Sequence, residues 1–191
     1  RFVPVAEEPQ EPVSHSFPDV AAGAWYAGAV QYVCANGLME GTGNGLFQPD
    51  AVTSRAMIVT ILYRLAGAPQ AGSAAFPDVA PGAWYADAVA WASASGIVTG
   101  YGSGLFGPND PITREQLAVM LCRFAQSQGE DTAPGGLQDF ADAGDVSAFA
   151  REAMGWTVSA GLLTGKDGGR LDPQGSATRA EAAAILMRYC Q

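Results

Sequence analysis

"GSGLFGPNDPITREQLAVMLCRF", residues 102 to 124, places Arg114 immediately behind a threonine at the expected start of a helix. A helix begins with unpaired N–H groups and the positive end of its dipole, so a cation in its first turn is disfavoured by about 0.3–1 kcal/mol. Thr113 and Gln116 have the spacing of a capping box, in which the threonine oxygen accepts an amide hydrogen and the glutamine reaches back. Arg114 is then the first helical residue, and some other interaction must hold it there.

The arrangement occurs three times. "LFQPDAVTSRAMIVTILYRL" (46 to 65), "LFGPNDPITREQLAVMLCRF" (105 to 124) and "RLDPQGSATRAEAAAILMRY" (170 to 189) align without a gap from their prolines onward, so the arginine recurs as Arg55, Arg114 and Arg179. A second block precedes each: "FPDVAAGAWYAGAVQYVCANGLMEG" (17 to 41), "FPDVAPGAWYADAVAWASASGIVTG" (76 to 100) and the looser "FADAGDVSAFAREAMGWTVSAGLLTG" (140 to 165). The third carries one extra residue, and Phe149 stands where Trp25 and Trp84 stand. A fixed internal period is the mark of a repeat architecture.

Each unit reads as helix, glycine-rich loop, helix. The first helix runs from the aromatic pair to Gly37, Gly96 or Gly161, where glycine closes the last turn in left-handed conformation. The second follows Ser54, Thr113 or Thr178, with apolar residues at i, i+3, i+4 and i+7: Ile58, Ile61, Leu62, Leu65 in the first unit, Leu117, Met120, Leu121, Phe124 in the second. About 50 residues with two short helices bury too little surface to stand alone. The expected fold is therefore mainly α, with repeats at 17–67, 76–125 and 138–191 packed as one cooperative domain of pseudo-threefold symmetry. Residues 1–16, rich in Pro and Glu, read as a linker from an upstream region.

The chain has 191 residues, 48% hydrophobic, enough for a sizeable core, and no run approaches the ~20 apolar residues of a membrane span. With 19 acidic against 10 basic residues the net charge is −9, which excludes a basic surface for nucleic-acid phosphates. The sparse Cys34, Cys122 and Cys190 read as small apolar side chains, without metal-ligand spacing. The single histidine, His15, lies in the linker, so no Ser-His or Cys-His pair is available within the repeats. No cofactor or metal is expected, and the chain reads as a non-enzyme.

With "FPDV…WY…GLMEG…LFQPD…TSRA", "FPDV…WY…GIVTG…LFGPN…ITRE" and "FADA…GLLTG…LDP…ATRAE", the sequence resembles the S-layer homology (SLH) family over residues 17 to 191. The resemblance implies a three-pronged spindle around a central helical bundle, on the outside of a bacterium, in its cell wall or S-layer. It also implies grooves between repeats that bind a secondary cell wall polysaccharide linked to peptidoglycan, often through a pyruvate-ketal sugar. Neither membrane insertion nor nucleic acid enters that picture. The absent starting methionine and the linker lead to the expectation that the chain belongs to a larger surface protein.

The family's Thr-Arg-Ala-Glu motif maps to Ser54-Arg55-Ala56-Met57, Thr113-Arg114-Glu115-Gln116 and, in full, Thr178-Arg179-Ala180-Glu181. A ketal pyruvate presents a carboxylate, and an arginine beside helix N-terminal amides suits an anion. Arg55, Arg114 and Arg179 are therefore candidate carboxylate binders, with Arg114 favoured because its repeat keeps the most landmarks. The alternative is ion pairing with Asp19, Asp78 and Asp142. Trp25 and Trp84 either stack on sugars or pack the fold. Gly41, Gly100 and Gly165 let the backbone approach either its own repeat or a sugar, and Tyr101 and Lys166 follow them as groove candidates. Arg64, Arg123 and Arg188 read as cations placed at helix C-termini. The competing function is a surface protein–protein assembly module without glycan affinity.

Overall fold

The computed structural model describes residues 16–73 and 76–191, which leaves all but Ser16 of the expected linker, His15 included, outside the described residues. Six α-helices and no strand occur among the described residues: α1 (Ala27–Ala35), α2 (Arg55–Leu65), α3 (Ala86–Ala94), α4 (Arg114–Ser127), α5 (Arg151–Ser159) and α6 (Arg179–Cys190). Two 3₁₀ turns, Ala143–Asp145 and Ala148–Ala150, precede α5. The chain divides into two compact units: one takes in residues up to Ala51 together with Thr178–Gln191, and the other spans Val52–Ala177.

The caps explain where the second helices begin. Ser54, Thr113 and Thr178 each accept an N–H from the residue three positions on, and the returning bond to their own N–H comes from Met57 Sδ at 3.5 Å, Gln116 Oε1 at 3.3 Å and Glu181 Oε2 at 3.0 Å. Sulfur is a weak acceptor, so the first repeat keeps the box in its poorest form. Met57→Glu is expected to stabilise the protein by about 0.3–1 kcal/mol, by restoring a carboxylate in the first turn of α2. Urea unfolding that shows no gain rejects this account of the cap. The first helices stop as read, with Gly37, Gly96 and Gly161 at φ 65°, 71° and 70°.

Within a sequence repeat the two helices are not partners. In the smaller unit α1 packs on α6; in the larger, α3 packs on α2 and α5 on α4. Each first helix thus pairs with the second helix of a different repeat, because the glycine–proline loop between a repeat's own helices carries the chain away. The apolar stripes supply the cores: Ile58, Ile61 and Leu62 of α2, Leu117, Met120, Leu121 and Phe124 of α4, and Ala182, Ile185 and Leu186 of α6 are all buried. Trp91 of α3 lies 5.6 Å from the Tyr63 ring and 6.3 Å from that of Phe124.

At the heart of the larger unit, the residues just before the three helix caps form a closed ring of backbone hydrogen bonds. Thr53 N–H donates to Ala177 O, Ala177 N–H to Ile112 O and Ile112 N–H to Thr53 O, each at 2.9 Å. All three residues are fully buried, so the ring satisfies groups that would otherwise be costly to bury.

Candidate functional site

The three arginines are 5%, 3% and 6% exposed, and their own backbone explains little of that burial. Arg55 Nε donates to Phe106 O at 2.8 Å, Arg114 Nε to Leu171 O at 2.7 Å and Arg179 Nε to Phe47 O at 2.7 Å. Every acceptor belongs to another repeat, and the same residue's N–H serves that repeat's aspartate. Asp78 accepts from Phe106 and Gly107, Asp142 from Leu171 and Asp172, and Asp19 from Phe47 and Gln48, all at 2.6–3.0 Å. Each arginine is thus linked to an aspartate through a relay in which the C=O of one residue takes the arginine and the N–H of the same residue serves the carboxylate. This is what keeps a cation in the first turn of each helix.

Burial alone raises the carboxyl pKa of Asp19, Asp78 and Asp142, but the backbone N–H bonds outweigh it and hold all three below the usual 3.8. A depressed folded-state pKa gives stability that is fully present above the unfolded value near 4 and lost as pH falls through the folded value. Tm is therefore expected to hold from neutrality to about pH 5 and drop at lower pH. In Asp78→Asn the acid slope of Tm against pH should be shallower; an identical slope removes Asp78 from this role.

The amides at the helix starts are also occupied. Arg55 and Ala56 N–H donate to Asp110 O and Pro108 O, Arg114 and Glu115 to Gly175 O and Pro173 O, and Arg179 and Ala180 to Ala51 O and Pro49 O. With the cap taking the next amide, an anion receives no hydrogen bonds from these helix ends, contrary to the expectation that they would share in its binding.

The three arginine side chains differ. Arg114 Nη2 donates to Thr164 O at 2.9 Å and Arg179 Nη2 to Glu40 O at 2.6 Å. The matching carbonyl for Arg55 is Thr99 O, but Arg55 Nη1 and Nη2 have no hydrogen-bond partner among the described residues. The cause lies next door: Gly100 sits at φ +71°, whereas neither Gly41 nor Gly165 is in the left-handed region, so the peptide before Gly100 is turned differently. Arg55 Cζ instead lies 4.5 Å from the Tyr101 ring centroid and 4.9 Å from that of Phe106. Burial lowers its pKa, with Tyr101, Asp110 and Asp78 opposing, yet a guanidinium stays charged at neutral pH.

A groove of about 390 Å³ opens onto this arginine. Thr99, Gly100 and Tyr101 form one wall, and Gln116, Met120 and Arg123 of α4 form another. Phe149, 63% exposed, stands at its edge. Of the residues anticipated from sequence, the groove unites Arg55, Gly100 and Tyr101. Asp78 reaches it only through Phe106, while Lys166 pairs with Asp172 of its own loop at 2.8 Å. Trp25 and Trp84 are 67% and 63% exposed, each edge-on to the following tyrosine, so they are not packing anchors.

The glycines resolve differently from the sugar-facing alternative. A Cβ on Gly41, Gly100 or Gly165 would meet the ring of Phe17, Phe76 or Phe140 at 2.9 Å or less, so these positions are small because their own repeat's phenylalanine packs there. Arg123 and Phe149 also line the groove, and neither is a groove candidate from sequence. The signal for Arg123 was present as the repeat of Arg64 and Arg188, but α4 runs to Ser127, and Arg123 sits inside the helix, not at its end.

The S-layer homology domain matches this chain three times, at residues 16–56, 75–118 and 139–183. The chain belongs to the S-layer homology family. It is 32% identical over 84% of its length to the surface-layer 125 kDa protein of Lysinibacillus sphaericus, and 30% identical over 90% to the S-layer protein EA1 of Bacillus anthracis. An endoglucanase of Bacillus sp. (strain KSM-635) is 30% identical over 97% of the chain. The chain spans only 14%, 20% and 20% of these relatives, so the shared part is a module found in S-layer proteins and enzymes alike. Domains of this family anchor S-layer proteins and surface enzymes to the cell wall. Among the described residues, no helix is long and apolar enough to cross a membrane.

Proposed function

We propose that this chain is a non-catalytic anchor that holds a larger extracellular protein on a bacterial wall by binding secondary cell wall polysaccharide. The groove at Arg55 receives the carboxylate of a pyruvate-ketal sugar. The observation that carries this reading is a buried guanidinium with its Nε committed to Phe106 O and its two terminal nitrogens bare within a groove. A carboxylate accepts from such a group with charge-assisted bonds, and the low local dielectric strengthens them. Tyr101 and Phe106 fix the guanidinium plane, so little ordering is left to the moment of binding.

The module's charge of −9 does not oppose this. At physiological salt the screening length is about 8 Å, and a ligand carboxylate in the groove responds mainly to the arginine beside it. Arg114 and Arg179, whose fork is already taken by loop carbonyls, act as clamps between repeats.

Calorimetric titration with the methyl glycoside of a 4,6-pyruvate-ketal hexosamine tests the reading. Binding is expected for the ketal sugar and absent for the same sugar after mild-acid removal of pyruvate. Equal binding of both forms, or of neither, overturns carboxylate reading; pull-down by wall sacculi that survives removal of the polysaccharide would favour protein assembly instead.

A further inference from the structure

We propose that the same groove holds a second anion subsite, centred on Arg123, which takes a carboxylate or phosphate on a sugar next to the one seated at Arg55. This rests on the reading of Arg55 as the seat of the first carboxylate. Arg55 and Arg123 are two of only ten basic residues in a strongly acidic chain, and both line one groove.

Their spacing is set by α4. Gln116, Met120 and Arg123 follow one another at i, i+4 and i+7 and face the groove together. Gln116 lines the groove together with Tyr101, whose ring lies against Arg55, so this end of α4 marks the level of the first arginine. Seven residues of helix then carry the chain about 10 Å to Arg123. Two anionic substituents on adjacent sugars of one chain match two cations set at levels about two helical turns apart along α4.

Among the described residues the fold engages the charge at position 123 through a single hydrogen bond. Its one hydrogen bond among the described residues is a long one, Nη1 to Ile97 O at 3.4 Å, and the interior of α4 offers no helix-end dipole to complement. Phe149 at the groove edge adds an apolar face of the kind on which a sugar's C–H surface rests, between a charged substituent and solvent.

The test compares wild type with Arg123→Gln, first verified to keep the wild-type Tm, in titrations with defined probes. These are the ketal monosaccharide above and three disaccharides that link it to glucose, to glucuronic acid or to glucose 6-phosphate. The wild type is expected to bind at least one anionic disaccharide about tenfold or more tighter than the neutral one. In Arg123→Gln that gain should vanish while the monosaccharide affinity stays unchanged. The uronate and phosphate arms tell which anion the subsite prefers. A wild type that binds the monosaccharide but gains nothing from either anion overturns the second subsite and leaves the first. A wild type that binds no probe overturns both. Equal losses for monosaccharide and disaccharide in Arg123→Gln would place Arg123 in the first seat and overturn a separate one.

Discussion

Arg55→Gln is expected to lower affinity for the pyruvate-ketal glycoside by about 10- to 150-fold, the loss of one charge-assisted contact of roughly 1.5–3 kcal/mol. The terminal nitrogens that would hold the carboxylate have no other hydrogen-bond partner among the described residues, so the binding term is removed without breaking a protein hydrogen bond there, although the contacts with the Tyr101 and Phe106 rings are lost. What is broken is the Nε bond to Phe106 O, and glutamine is too short to remake it. A moderate fall in Tm therefore accompanies the binding loss, and both are measured on the same sample. Arg55→Lys separates charge from geometry: it keeps the cation but loses the fork, and its affinity should fall between the other two. Affinity within twofold of wild type for Arg55→Gln, in protein still folded by circular dichroism, would remove Arg55 from the site.

Arg114→Met should have the opposite profile. Its Nε and Nη2 bonds to Leu171 O and Thr164 O join α4 to the following repeat, and methionine fills much of the volume while satisfying neither carbonyl. The buried Leu171 O left unpaired costs about 1–3 kcal/mol, whereas Thr164 is exposed and its carbonyl can turn to water, so the variant loses on the order of 1–3 kcal/mol from a total typically of 5–15. For a chain of this size that corresponds to a Tm lowered by roughly 5 °C. Scanning calorimetry reads it directly. A Tm within 2 °C of wild type, with glycan affinity gone, would show that Arg114 is the ligand-binding arginine.

Much of the fold was legible because the code is local. Caps, apolar spacing and helix-closing glycines act within a few residues, and the second helices start where Ser54, Thr113 and Thr178 indicated. The relay was not legible. Arg55, Arg114 and Arg179 reach acceptors 51, 57 and 132 positions away, and no short-range pattern names them. Nor does sequence distinguish the open arginine from the two closed ones, since Gly41, Gly100 and Gly165 are identical letters and the difference is a backbone angle. Arg114 is favoured in the sequence because its repeat keeps the most landmarks, and nothing in that pattern shows that its Nε and Nη2 both meet carbonyls of the next repeat. Arg123 was misplaced because α4 extends to 14 residues, against 11 for α2, which moves its end past the arginine.

The exchange of helices between repeats gives the gene and the fold different units. What is copied in sequence begins at a phenylalanine and ends after an arginine-led helix; what packs is the front of one copy with the back of another. Losing one copy therefore does not shorten the module by a third. It strands two half-pairs and opens the three-membered ring at Thr53, Ile112 and Ala177, each of whose residues both gives and receives a bond. A chain cut to two copies is penalised twice, once in its helix pairs and once in its ring.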